Sequence, residues 1–189
     1  MPFSVGFPTP TQMELLDAFM QTLTEQEGGL QRYRDPGLQV AADDKLIDAA
    51  ALNRFKQSLL NCIEQSDHWV MDAVGRLMTE TKPSLQWLAD ASISDPVSET
   101  MLTERMLAGD CLVANPYIRL AWVETETEFK LFAAGDSISL AKSASAALPL
   151  LLQDRPIGLT DLKQLRTQPS AIAALEQLIA VGARHWQQD

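Results

Sequence analysis

Gly109-Asp110-Cys111-Leu112-Val113-Ala114-Asn115-Pro116-Tyr117-Ile118-Arg119-Leu120-Ala121-Trp122-Val123, then the polar run Glu124–Glu128, then Phe129–Ala133, Gly135-Asp136 and Ser137–Leu140, is the stretch that decides the fold. Its apolar runs are short, rich in aliphatic and aromatic residues, and bounded by polar or glycine-containing turns. That pattern predicts strands at Leu112–Val123, Phe129–Ala133 and Ser137–Leu140, joined as hairpins. A short helix around Glu99–Leu107 precedes them. After them Ser143–Leu152 and Thr160–Leu165 read as helices, and Pro169 opens a last one carrying Ile172, Leu175, Leu178, Ile179 and Ala183. Helix, strands, then helices across residues 98–189 predict a small α+β domain of winged-helix type.

Upstream the period changes to that of helices. Thr11 is placed to cap a helix and Glu14 to reach back to the free amide. Leu16, Phe19, Met20 and Leu23 follow at helical spacing as one apolar stripe, and Gly28-Gly29 ends the helix. Tyr33-Arg34-Asp35-Pro36-Gly37 is a turn. Asp48 caps a second helix whose buried stripe is expected at Leu52, Phe55, Leu59 and Ile63. A third runs from Asp67 or His68 to about Thr81, burying Trp69, Ala73, Val74 and Leu77, until Lys82-Pro83 stops it. Residues 84–97, rich in Ser, Asp, Ala and Pro, read as a linker. The fold class expected is therefore mainly α with a small α+β part. Phe3-Ser4-Val5-Gly6-Phe7 alternates like a single strand and halts at Pro8 and Pro10, with no neighbouring strand to pair with.

Composition narrows the function. Of 189 residues 46% are hydrophobic and 21% charged, which suits packed cores rather than disorder. No apolar run reaches the roughly 20 residues of a membrane helix; Ala144–Leu152, the longest, contains Pro149. The opening residues lack a basic region followed by an apolar one, so a cytoplasmic address and no membrane partner are expected. The net charge is −10, and residues 1–96 hold 7 Lys/Arg against 14 Asp/Glu. Nucleic-acid affinity comes largely from phosphate neutralisation, so an acidic chain is a poor binder. Ser143–Leu152, the candidate recognition helix, carries no charge at all. Cys62 and Cys111 form no Cys-x-x-Cys pair, and Cys62, inside a helical pattern, reads as a buried thiol.

In order along the chain, Phe3-Ser4-Val5-Gly6-Phe7, the proline bend, the helix ending at Gly28-Gly29, Tyr33-Arg34-Asp35-Pro36 and Thr79-Glu80-Thr81-Lys82-Pro83 resemble the bacterial ribosomal oxygenases. These are JmjC-related cupin proteins, dependent on Fe(II) and 2-oxoglutarate, that hydroxylate an arginine of a large-subunit ribosomal protein. The resemblance implies the carboxy-terminal part of such a protein, with the catalytic cupin barrel missing. Residues 1–10 would be the remnant of the last cupin strand, 11–83 a helical dimerisation region, 84–97 the linker and 98–189 the winged-helix domain. It also implies a homodimer, with Leu16, Phe19, Met20 and Leu23 as candidate interface residues, and a ribosomal protein as the full-length family's substrate. Ser4 would edge the substrate pocket.

The family's iron site is His-x-Asp/Glu followed much later by a second His, a facial arrangement that leaves positions open for co-substrate and oxygen. This chain has only His68 and His185, and Val70 and Gln187 stand two residues after them. No catalytic, metal or cofactor-binding residue is therefore assigned, and no cofactor is expected for this chain alone. His68 reads as a helix-start residue and His185-Trp186 as the edge of the last helix, where a His suits the helix C-terminus. Asp43-Asp44 and Glu124–Glu128 lack the spacing of a calcium loop and read as solvated surface. Two alternatives to an oxygenase portion follow from the same residues: a self-standing dimeric adaptor or subunit, and an acidic winged-helix regulator.

Overall fold

A computed structural model describes residues 9–25, 47–90 and 97–187. Two compact units divide the chain, residues 1–74 and 75–189. The expected Phe3–Phe7 strand, Gly28-Gly29, the Tyr33–Gly37 turn and Asp43-Asp44 lie outside the described residues.

In the first unit α1 spans Gln12–Glu25 and α2 Ala49–Glu64, and α3, Asp67–Thr79, begins here. The predicted capping box is present. The Thr11 amide donates to Glu14 Oε2 (2.7 Å), and the Glu14 amide donates to Thr11 Oγ1 (3.2 Å). Asp48 caps α2 by accepting the Ala51 amide at 2.6 Å. The core is small: Phe19, Leu23 and Ala73 are buried, with Ala18, Trp69 and Val70 packed against them. Here the expected burial fails in places. α2 has no buried residue, so Leu52, Phe55, Leu59 and Ile63 face solvent, and Cys62 is exposed rather than buried. Val74 is exposed too. The helical period was right; amphipathicity sets which residues share a face, not what covers it.

In the second unit α3 ends at Thr79, short of Thr81, where the Glu80 amide closes the last turn on Arg76. A 3-10 turn at Pro83–Leu85 leads into α4, Gln86–Asp90, so the front of the expected linker is helical, with Pro83 at the first-turn position that tolerates it. α5 is Glu99–Leu107. The single strand expected over Leu112–Val123 is two, β1 (Leu112–Ala114) and β2 (Leu120–Glu124). Asn115-Pro116 separates them: Asn115 Oδ1 accepts the Tyr117 amide at 3.0 Å, a side-chain-built turn.

β3 (Glu128–Ala133) and β4 (Asp136–Ala141) join β2 in an antiparallel sheet of order β2-β3-β4. The β3–β4 turn puts Ala134 at φ +52° and Gly135 at +86°, the twist that matches the flanking strands. A 3-10 segment, Lys142–Ala147, runs into α6, Leu148–Leu152; α7 is Leu159–Leu165 and α8 Pro169–Ala180. Gly182, at φ +76°, lets the chain reverse, and β5 (Arg184–Trp186) returns antiparallel to β1, with Leu112 opposite Trp186. His185 and Trp186 therefore sit on a strand, not at a helix end.

α8 is the centre of this unit. Ala171, Ile172, Ala174, Leu175, Leu178 and Ile179 are buried in it. Phe129, Leu131 and Ala133 of β3 face the same core. Phe132 points to the opposite face and is buried as well, against Gly75 of α3. A Cβ at Gly75 would overlap the Phe132 ring. α7 begins at an ion pair: Arg155 grips Asp161 with two bonds (3.0 and 2.8 Å), and the Gly158 amide donates to Asp161 at 3.1 Å.

Two outcomes follow. Gly75→Ala, which elsewhere in a helix gains up to about 1 kcal/mol, is expected here to destabilise by about 1–3 kcal/mol through overpacking. Urea melts check this, and Phe132→Leu in the same background should recover part of the loss. The Arg155 bonds, aided by the Gly158 amide and opposed by burial, hold the Asp161 carboxyl below the usual aspartate range. Its stabilisation is complete above the unfolded pKa, about 3.9, and disappears as pH falls through the lower folded value. Asp161→Asn should remove that part of the acid dependence, read as a flatter midpoint-against-pH curve below about pH 4. Arg155 is more than half exposed, so solvent screening keeps the effect small.

Candidate functional site

Metal or nucleophile chemistry needs polar side chains that converge. Among the described residues no group of three or more His, Cys, Asp or Glu side chains comes together. His68 lies in the first turn of α3 beside Trp69, ring centroids 4.8 Å apart. His185 lies on β5 opposite Val113, where burial pushes its pKa below the usual histidine value. Neither has a carboxylate two residues on, so these residues do not fit the two-His, one-carboxylate set that an Fe(II) oxygenase requires. The Cys111 thiol donates to Gln187 Oε1 at 2.9 Å, an ordinary polar contact. Ser4 lies outside the described residues.

Exposed apolar and aromatic side chains are what the described residues offer instead. The α1 stripe divides: Phe19 and Leu23 enter the small core, while Leu16 (47% exposed) and Met20 (58%) remain outside it. α2 is more extreme. Phe55 is 50% exposed and Leu59 70%, and with Leu52 and Ile63 they form an apolar band at helical spacing along about three turns. A helix with one apolar face and no buried residue has spent no burial on its own fold. Sequence patterning found this band but assigned it to a core.

The second surface is the β2–β3 hairpin. Its turn is closed by the Thr125 amide donating to the Glu128 carbonyl at 2.9 Å, which leaves Glu126 and Thr127 at the tip. Lys142 bonds Glu124 and stands over the Phe129 ring, 4.9 Å from its centroid. Trp122 meets Phe129 edge-on at 6.1 Å and is 49% exposed. The opposite end of β2 is tied down by Arg119, which donates to the Met78 carbonyl at 3.2 Å.

One residue that sequence reading passed over is Arg184, whose side chain is fully buried on β5. It donates to the carbonyls of Leu151 (3.0 Å) and Gln153, satisfying the end of α6, and burial pushes its pKa down. The signal was available, since Gly182 marks a helix end and the apolar Ala183 sits beside Arg184. α8, the longest helix of this unit, is core along its buried face and bears a single charge, Glu176. Among the described residues no helix is long and apolar enough to cross a membrane.

Comparison with known proteins places this geometry. Residues 61–185 match the family model described as ROXA-like winged helix. Among solved structures, the chain is similar to YcfD, a ribosomal oxygenase from Escherichia coli, in complex with cobalt and 2-oxoglutarate (TM-score 0.74, 20% identity), covering 97% of this chain and 48% of that one. The complex of the same protein with cobalt and succinic acid gives a TM-score of 0.73 at 20% identity, with the same coverage. A further crystal structure of it gives 0.72 at 21% identity. At such identity the likeness is one of fold, and the chain spans less than half the length of these structures. Nothing matches among curated protein sequences.

Proposed function

The chain belongs to the ROXA-like winged helix family, and on that premise we propose that it is the non-catalytic assembly and recognition portion of a ribosomal oxygenase. The observation that carries this reading is α2: a full-length amphipathic helix whose apolar band is left in solvent in the single chain. Water-exposed bands of this kind mark association surfaces, and a second copy of the chain supplies an equal band. On this reading α1 and α2 make a homodimer, with Leu16 and Met20 on the exposed side of α1 adding to the seam. The residues present do not fit an iron site, so Fe(II) and 2-oxoglutarate belong to another part of the full-length protein. The winged-helix unit then contacts protein, the ribosomal substrate being the natural partner, rather than nucleic acid. The charge-free Ser143–Leu152 segment and the core position of α8 favour that reading, since a helix entering a groove needs cationic side chains on its outer face.

Sedimentation equilibrium tests the association. The wild-type chain is expected to sediment as a dimer and Phe55→Glu/Leu59→Glu as a monomer with an unchanged circular dichroism spectrum. A wild-type monomer at the highest soluble concentration, or a double variant that still dimerises, sinks the proposal for α2. Calorimetric titration with Co(II) and 2-oxoglutarate tests the rest: no stoichiometric binding is expected, and tight binding by this chain alone overturns its non-catalytic assignment.

A further inference from the structure

An antiparallel sheet of three strands has two edges, and the register shows how the β2 edge is disposed. Val123 stands opposite Lys130 and Ala121 opposite Phe132. Because Thr125 and Glu128 form the bonded pair that closes the turn, the alternation of an antiparallel ladder makes these two the bonded pairs as well. The β3–β4 turn, flanked by Ala133 and Asp136, gives the same alternation from the other side of β3. Leu120, Trp122 and Glu124 therefore direct their N–H and C=O groups away from β3, toward the free edge.

Natural edge strands are usually blunted by proline, an inward lysine, a bulge or a covering segment. Within β2 (Leu-Ala-Trp-Val-Glu) there is no proline, lysine or glycine, and among the described residues its only strand partner is β3. Charge says what would pair there. Glu124 and Glu126 are exposed at the tip end, in a chain of net charge −10. Lys142 displays the chemistry this corner accepts, an ammonium held by a carboxylate and an aromatic face. Trp122 offers a second aromatic surface on the same side of the strand, half exposed.

We propose that the β2 edge is a docking strand for an extended basic protein segment, which adds to the sheet as a fourth strand through the backbone of Leu120, Trp122 and Glu124 and sets its Lys or Arg side chains against Trp122, Glu124 and Glu126. Main-chain bonds give such strand addition its affinity and alternate side chains its specificity. This rests on the recognition role proposed above for the winged-helix unit. The α2 experiment reads association of the chain with itself, so the two readings fail separately.

The test uses the full chain and a synthetic peptide alternating valine and arginine, with a glutamate-for-arginine counterpart. On binding the basic peptide, amide hydrogen exchange is expected to slow at Leu120, Trp122 and Glu124 and to stay as it was at Ala121 and Val123, which are already paired. Methylating one peptide nitrogen that faces the edge should weaken binding about threefold to tenfold, the worth of one net hydrogen bond. Trp122→Pro removes an outward donor without touching the β3 ladder; it should bind more weakly than Trp122→Thr, which keeps that donor. Equal binding of the acidic peptide, indifference to N-methylation, slowed exchange elsewhere than β2, or pairing of β2 with a second copy overturns the proposal.

Discussion

Burial of α8 among β4, β5, α6, α7 and the 3-10 segment sets the terms for everything else in residues 75–189. A helix packed on several sides must be nearly free of charge, and α8 carries only Glu176. Its neighbours must then end in ways that satisfy their own backbone groups inside or beside that core. Arg184 does so for α6, and Asn115 does so at the reversal after α8, donating from Nδ2 to the Gly182 carbonyl at 3.0 Å.

Much of this was legible in the residues. Pro169 with Ile172, Leu175, Leu178 and Ile179 gave the last helix, and Phe129–Ala133 with Gly135-Asp136 gave the central hairpin, because each pattern agrees with a local signal. Errors fell where pattern and environment part company. Leu112 to Val123, read as one strand, hides a corner, since Asn115-Pro116 turns the chain and ends β1 before β2 begins. Leu52, Phe55, Leu59 and Ile63 spell a buried face in every respect but the presence of something to bury them. Gln86–Asp90 forms a helix from residues whose composition reads as a connector.

The candidate site shows the same division. The spacing around His68 and His185 is a property of the sequence itself, with Val70 and Gln187 two residues after them. The edge of β2 is not, because it depends on which residues of a strand point their amides outward, and a shift of one residue inverts that set. Only the register with Phe129–Ala133 fixes it.

The pairing of β1 with β5 also bears on the order in which the unit is built. The meander of residues 120–141 finds all its strand partners through turns of a few residues. β1, by contrast, stays without its strand partner until residues 184–186 have been made, since Leu112 pairs with Trp186. During synthesis the sheet precedes α8, and until that helix emerges Leu131, Ile138 and Leu140 have only the 3-10 segment and α6 of the following chain to pack with. For that interval the nascent chain carries a sheet whose apolar face is incompletely covered, the kind of species most in need of shelter from its neighbours.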